Sequence, residues 1–190
     1  FTWLLGGLYL RAPAVLVTLI PPASPTAAVP DSTATPLPAP TPAPGQSRDN
    51  PVPFGTSAHL GGGLSLVIVG VVRSADELVS RAARGNPPPA AGQEYVQVEL
   101  RVSCNQSMSV RCSASSYNFK AVGTDGLVRD AEWAIVLIEG QFESGDLFGG
   151  GVRTGKLFFA VDIGDAGVVL FYDSFSLFDR PVFFSLLPTP

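Results

Sequence analysis

The run from Gly150 to Leu157, GGVRTGKL, fits the G-x-x-x-x-G-K pattern of a loop that cradles phosphates. That chemistry needs Ser or Thr after the lysine to hold magnesium, and a helix whose N-terminal amides converge on the phosphate. Leu157 removes the metal ligand, and the residues beyond alternate as a strand does. The run therefore predicts a glycine-rich turn (Gly149, Gly150, Gly151) feeding a strand. Carboxylates gather in two other places: Glu139, Glu143 and Asp146, then Asp125, Asp130 and Glu132. Carboxylates in pairs can transfer protons or hold a hard cation. Neither group has the alternating acidic spacing and central glycine of a calcium loop, so both read as solvated loop charge. A calcium site near Asp125 or Glu139 stays open as the alternative. His59 is the single histidine, and no G-x-S-x-G elbow accompanies it. An edge-strand position suits it better than a triad. No catalytic, cofactor-binding or metal-ligating residue is assigned, and no cofactor is expected.

Composition narrows the classes further. The 190 residues carry Lys+Arg 12 against Asp+Glu 16, a net charge of −4. That balance argues against nucleic acid, whose phosphates are neutralised by Lys and Arg. One His and two Cys cannot assemble a His/Cys zinc cluster.

The elements that would position these residues fall into three stretches. Residues 1–20 are almost wholly apolar, interrupted by Arg11 and Pro13. About 20 apolar residues span a hydrocarbon core as a helix, whereas a central charge and a proline weaken such a span. The stretch reads as the remnant of a signal peptide or membrane anchor. Residues 21–53 hold 11 of the chain's 18 prolines among Ala, Thr and Ser. Such a composition favours polyproline II or plain disorder, a linker with no core to bury. Residues 54–190 carry the strand signals. In residues 95–102, Val96, Val98, Leu100 and Val102 face one way and Gln97, Glu99 and Arg101 the other, the alternation of an antiparallel strand. Residues 64–73 are β-branched on both faces and predict a central strand. In residues 156–163, Leu157, Phe159, Val161 and Ile163 share a face. Residues 167–172 and 181–187 add two short strands, residues 115–122 and 126–136 fill the middle, and residues 56–60 form an edge. Ser74 with Glu77 three residues on predicts a capping box opening a short helix over 74–83, stopped by Gly85 and Pro87. Seven or eight strands with one helical insertion predict an all-β antiparallel sandwich.

The folded part resembles a known family. The residues that carry the likeness are the segment from Asn50 to Gly55 (NPVPFG), Asn86-Pro87-Pro88-Pro89, and the run from Gln93 to Val98. Asn118-Phe119-Lys120, Asp125-Gly126, the run from Phe148 to Leu157 and the strand from Val168 to Tyr172 complete it. In this order they resemble the bacterial immunoglobulin-like domain of unknown function 4352. The resemblance implies an immunoglobulin-like sandwich exported beyond the cytoplasmic membrane, often behind a signal or lipid anchor and a Thr/Pro linker, related in shape to secreted mycobacterial immunoprotective antigens. It carries no activity. No cysteine lies near the end of the apolar leader to accept a lipid. Cys104 and Cys112 are too close in sequence to span two sheets as in an antibody domain. In an exported protein they are expected to form a disulfide closing a hairpin, with two inert thiols as the alternative. Closing so short a loop contributes about 2–3 kcal/mol.

Aromatic residues crowd the last third of the chain. Those in turn-like contexts, Phe142, Phe148, Phe175 and Phe178, form a candidate interaction patch together with Leu147; the alternative is that they plug the sandwich ends. The expectation is therefore a non-catalytic, extracytoplasmic binding module on a Pro-rich stalk. It would sit at the cell surface or be secreted, touch membrane only through its N-terminal segment, and meet an unknown protein or envelope ligand. A structural envelope spacer, and a hydrolase using Glu139, Glu143 and Asp146, are the alternatives.

Overall fold

The computed structural model describes residues 42–176 and 179–187. The leader and most of the Pro-rich stretch lie outside them. Among the described residues no helix is long and apolar enough to cross a membrane.

The alternating run is the centre of the fold. It lies in β3 (Gln93–Cys104), with β2 (Leu64–Val72) on one side and β8 (Val152–Asp162) on the other, both antiparallel. β1 (Ala58–Gly61) completes the order β1-β2-β3-β8 as an edge. Val96, Val98, Leu100 and Val102 are fully buried, as their spacing requires. Each such side chain contributes about 1.5–3 kcal/mol when taken out of water. A second sheet runs β10 (Val182–Ser185), β9 (Val169–Tyr172), β5 (Phe119–Val122) and β6 (Val128–Asp130). Its Phe119, Ala121, Leu170, Tyr172 and Phe184 join the first sheet's apolar face in one core. The result is an antiparallel β-sandwich with one short helix. The packed chain begins before residue 54: Val52 lies in the core and bridges Phe184 in parallel.

Several expectations are corrected. The helix α1 (Asp76–Ala82) is present, but its cap residue is Ala75 and no side chain caps it. Ser74 instead donates its hydroxyl to Glu94, so a tertiary partner has displaced the capping box. Only Val128–Asp130 of residues 126–136 is a strand, because the Glu132 N–H then bonds the Phe158 carbonyl of β8 at 2.8 Å and Ile135 turns inward. Ile163 does not share the buried face: β8 ends at Asp162, and Ile163 is exposed.

The cysteines form a disulfide, with 5.7 Å between their Cα atoms, but close no hairpin. Cys112 belongs to β4 (Arg111–Ala114), which pairs with β7 (Gly145–Phe148) in a separate two-stranded ribbon, neither strand of which the sequence announced. The bond staples this ribbon to the end of β3. Gly149 sits in the expected glycine turn, where a Cβ would lie 2.2 Å from the Ser107 carbonyl oxygen. Of the two glycines in the phosphate-loop pattern, Gly150 takes a left-handed turn at φ 81° and Gly155 lies within β8, so neither opens a helix.

Candidate functional site

The second sheet, its preceding turn and the segment after β6 enclose a cleft of about 450 Å³. Tyr117, in a single 3₁₀ turn (Ser116–Asn118), and Lys120 on β5 line one part. Asp130, Glu132 and Trp133 follow along the chain leaving β6; Gln141 and Phe175 also line it, and Phe142 and Leu157 are the buried floor. Volumes of about 300–1,000 Å³ are usual for small-molecule sites.

The segment bearing Glu132 and Trp133 has no regular structure, yet its backbone is pinned. Ile135 is wholly buried with Ala75, Val79, Tyr95 and Phe158. Asn86, itself buried, donates from Nδ2 to the Val136 carbonyl at 3.0 Å and accepts the Val136 N–H on Oδ1 at 2.9 Å. Its Nδ2 also reaches the Val79 carbonyl of α1 at 2.9 Å. Gln141 Nε2 donates to the Ile135 carbonyl at 2.9 Å. Beyond it, Phe142 N–H bonds the Lys156 carbonyl at 2.9 Å and Lys156 N–H the Gly140 carbonyl at 2.8 Å. This approach depends on Gly155, where a Cβ would stand 2.5 Å from the Phe142 Cα. On this fixed backbone Trp133 is 82% exposed, with Tyr117 at 71% and Phe175 at 64%.

Charge in the cleft is unevenly matched. Lys120 pairs with Asp130, and its ammonium lies 5.5 Å from the Phe175 ring centroid. Phe175 adopts a left-handed backbone, φ 55°, with its N–H bonded to Asp173 Oδ1 at 2.9 Å. Glu132 has no cationic or hydrogen-bonding side-chain partner among the described residues. Burial, and secondarily the Asp130 charge, pushes its carboxyl above the usual range.

Of the sequence-derived patch, the cleft brings together Phe142 and Phe175. Phe142 is buried, its ring edge-on to Phe119 at 5.5 Å, so it is floor, not an exposed contact. Leu147 packs on the core, Phe148 is exposed on β7 away from the cleft lining, and Phe178 lies outside the described residues. Tyr117, Lys120, Glu132, Trp133 and Gln141 were missed as a group. No spacing in the sequence links them, and the pattern of residues 126–136 reads as strand.

The other candidates lie outside the cleft lining. Asp125 holds Arg129 at 2.7 Å, and this bond, helped by the Leu127 N–H, keeps its carboxyl below the usual range. Asp146 pairs with Arg111 at 3.2 Å, and none of Glu139, Glu143 and Asp146 lines the cleft. No cluster of three metal-ligating side chains occurs among the described residues. His59 is exposed on edge strand β1, its Nδ1 3.0 Å from the Ser65 hydroxyl. Ser65 also accepts from Asn105 and is 5% exposed, which withholds it from a substrate.

No family model matches the chain, and no curated protein matches it. Solved structures do. YjhA of Bacillus subtilis is similar with TM-score 0.54 and 15% identity, covering 70% of this chain and 98% of that one. The secreted protein MPT63 of Mycobacterium tuberculosis gives TM-score 0.50 and 15% identity over 71% of this chain and 97% of that one. YcdA of Bacillus subtilis, described as a lipoprotein, gives 0.50 and 17% over 66% of this chain; this chain spans only 37% of that one. At these identities the likeness is one of fold.

Proposed function

We propose that this chain is a non-catalytic, extracytoplasmic binding module displayed on the Pro-rich stretch, in the exported setting that its resemblance to the domain of unknown function 4352 implies. The cleft is its ligand site. One observation carries the reading: Trp133 is held out at the cleft on a backbone fixed by the Asn86 latch and the Ile135 plug. A large aromatic side chain kept exposed on rigid backbone loses little freedom on binding, which is what makes such residues effective anchors. The lipoprotein and secreted-protein descriptions of YcdA and MPT63 agree with an exported setting. The test is an array of glycans and peptides probed with the full chain and with Trp133→Ala. Saturable binding that the variant loses is the expected result. Binding unaffected by the substitution, or none at all, removes the reading.

A further inference from the structure

We infer that the cleft takes an organic cation, a primary or alkylated ammonium group seated against the Trp133 and Tyr117 rings and the Glu132 carboxylate. This rests on the binding-module reading above and adds the class of ligand.

The charges select the class. Among the described residues three formal charges line the cleft: Lys120, Asp130 and Glu132. Lys120 and Asp130 neutralise each other, which leaves Glu132 in excess. An anion would meet that carboxylate and find the only lining cation already paired. A neutral apolar group would desolvate the carboxylate without replacing its water, an unfavourable exchange. A cation supplies the missing partner. The rings favour the same guest, because the face of an aromatic ring is the negative end of its quadrupole. The molecule already contains one instance: the Lys120 ammonium against Phe175. Trp133 and Tyr117 are largely exposed and can supply a second.

The titration of Glu132 follows. The charged and titratable groups around it are Asp130 on β6, Lys120 on β5 and Tyr95 on β3. Burial and Asp130 hold its carboxyl above the ordinary range, and an adjacent cation acts in the opposite sense. Affinity therefore rises with pH through the Glu132 titration, and binding below it releases a proton.

The experiment titrates the full chain by NMR, following the Trp133 indole, with choline, its uncharged tert-butyl isostere, N-acetyl-lysine methylamide and N-acetylglucosamine. Choline or the lysine derivative should saturate and bind roughly tenfold tighter than the uncharged compounds, about 1.4 kcal/mol. Glu132→Gln should abolish that preference and its pH dependence, and Trp133→Ala, followed by calorimetry because it lacks the reporting indole, should weaken every ligand. Equal binding of choline and its isostere, or an unchanged preference in Glu132→Gln, overturns the cation. A saccharide that alone shifts Trp133 overturns it too while the binding-module reading stands. If these probes and the array ligands all leave the indole unmoved, both fail.

Discussion

Glu94 and Glu132 are both drawn out of water, and the protein treats them in opposite ways. Burial pushes each carboxyl upward. At Glu94 that push is outweighed by hydrogen bonds from Ser74 and Arg73, by the Arg73 charge and by the Gly164 backbone, so it lies below the ordinary range. Arg73 also reaches the Asp165 carbonyl at 2.7 Å, so the carboxylate is part of a network joining β3, the start of α1 and the turn before β9. At Glu132 nothing answers the push, and Asp130 adds to it. The first arrangement is finished inside the chain. The second has an open valence, and it stands beside an exposed tryptophan. A satisfied buried charge marks architecture; an unsatisfied one beside a cleft marks a place for something else.

The contrast can be broken at several points. Phe142 was grouped with the contact residues but packs like core, so Phe142→Ala should lower stability by about 3–5 kcal/mol in urea unfolding. A loss under 1 kcal/mol would return it to the surface class. Arg73→Ala strands the Glu94 carboxylate. Because Arg73 is one-third exposed, the loss should reach about 2–3 kcal/mol, short of a fully buried pair. A tolerated substitution would demote the network.

The pH dependence separates the two glutamates by sign. The Glu94 value lies below its ordinary 4.5, so its contribution is complete above about pH 4.5 and is lost as pH falls through the folded value. The Glu132 value lies above 4.5, so stability declines as pH rises from 4.5 through the folded value. Unfolding midpoints across pH should show Glu94→Gln flattening the acid limb. Glu132→Gln should raise neutral-pH stability by a few tenths of a kcal/mol, about the scale of partly exposed charges. Matching slopes in the two variants would erase the distinction. At Trp133 no directed change is expected: Trp133→Ala should leave stability unchanged within about 0.5 kcal/mol. A larger loss would make the indole structural.

What the chain made legible was its pleat. The alternation through Val96, Val98, Leu100 and Val102 located β3, and the strand pattern after Gly155 dismissed the phosphate loop in favour of β8. Partnerships between distant segments were not legible. Arg111–Ala114 and Gly145–Phe148 are too short to announce themselves, and become strands only because each supplies the other's backbone partners. Ser74 and Glu77 had the right spacing for a cap, but Glu94 offered Ser74 a charged acceptor that local pattern cannot see. The cleft escaped for the same reason. Its residues come from β5, the turn before it, the chain after β6 and the loop after β9, and no spacing rule links Tyr117 to Phe175.

Asn86 carries one more implication. Its side-chain amide stands in for a peptide group, giving and taking a hydrogen bond at Val136. Hydrolysis to aspartate would leave a carboxylate facing the Val79 and Val136 carbonyls and release the wall that carries Trp133. The usual route to that damage is attack by the following residue's backbone nitrogen to form a succinimide. The following residue is Pro87, whose ring nitrogen has no hydrogen to give up. The amide on which the wall depends is thus shielded from spontaneous ageing by its neighbour in the chain.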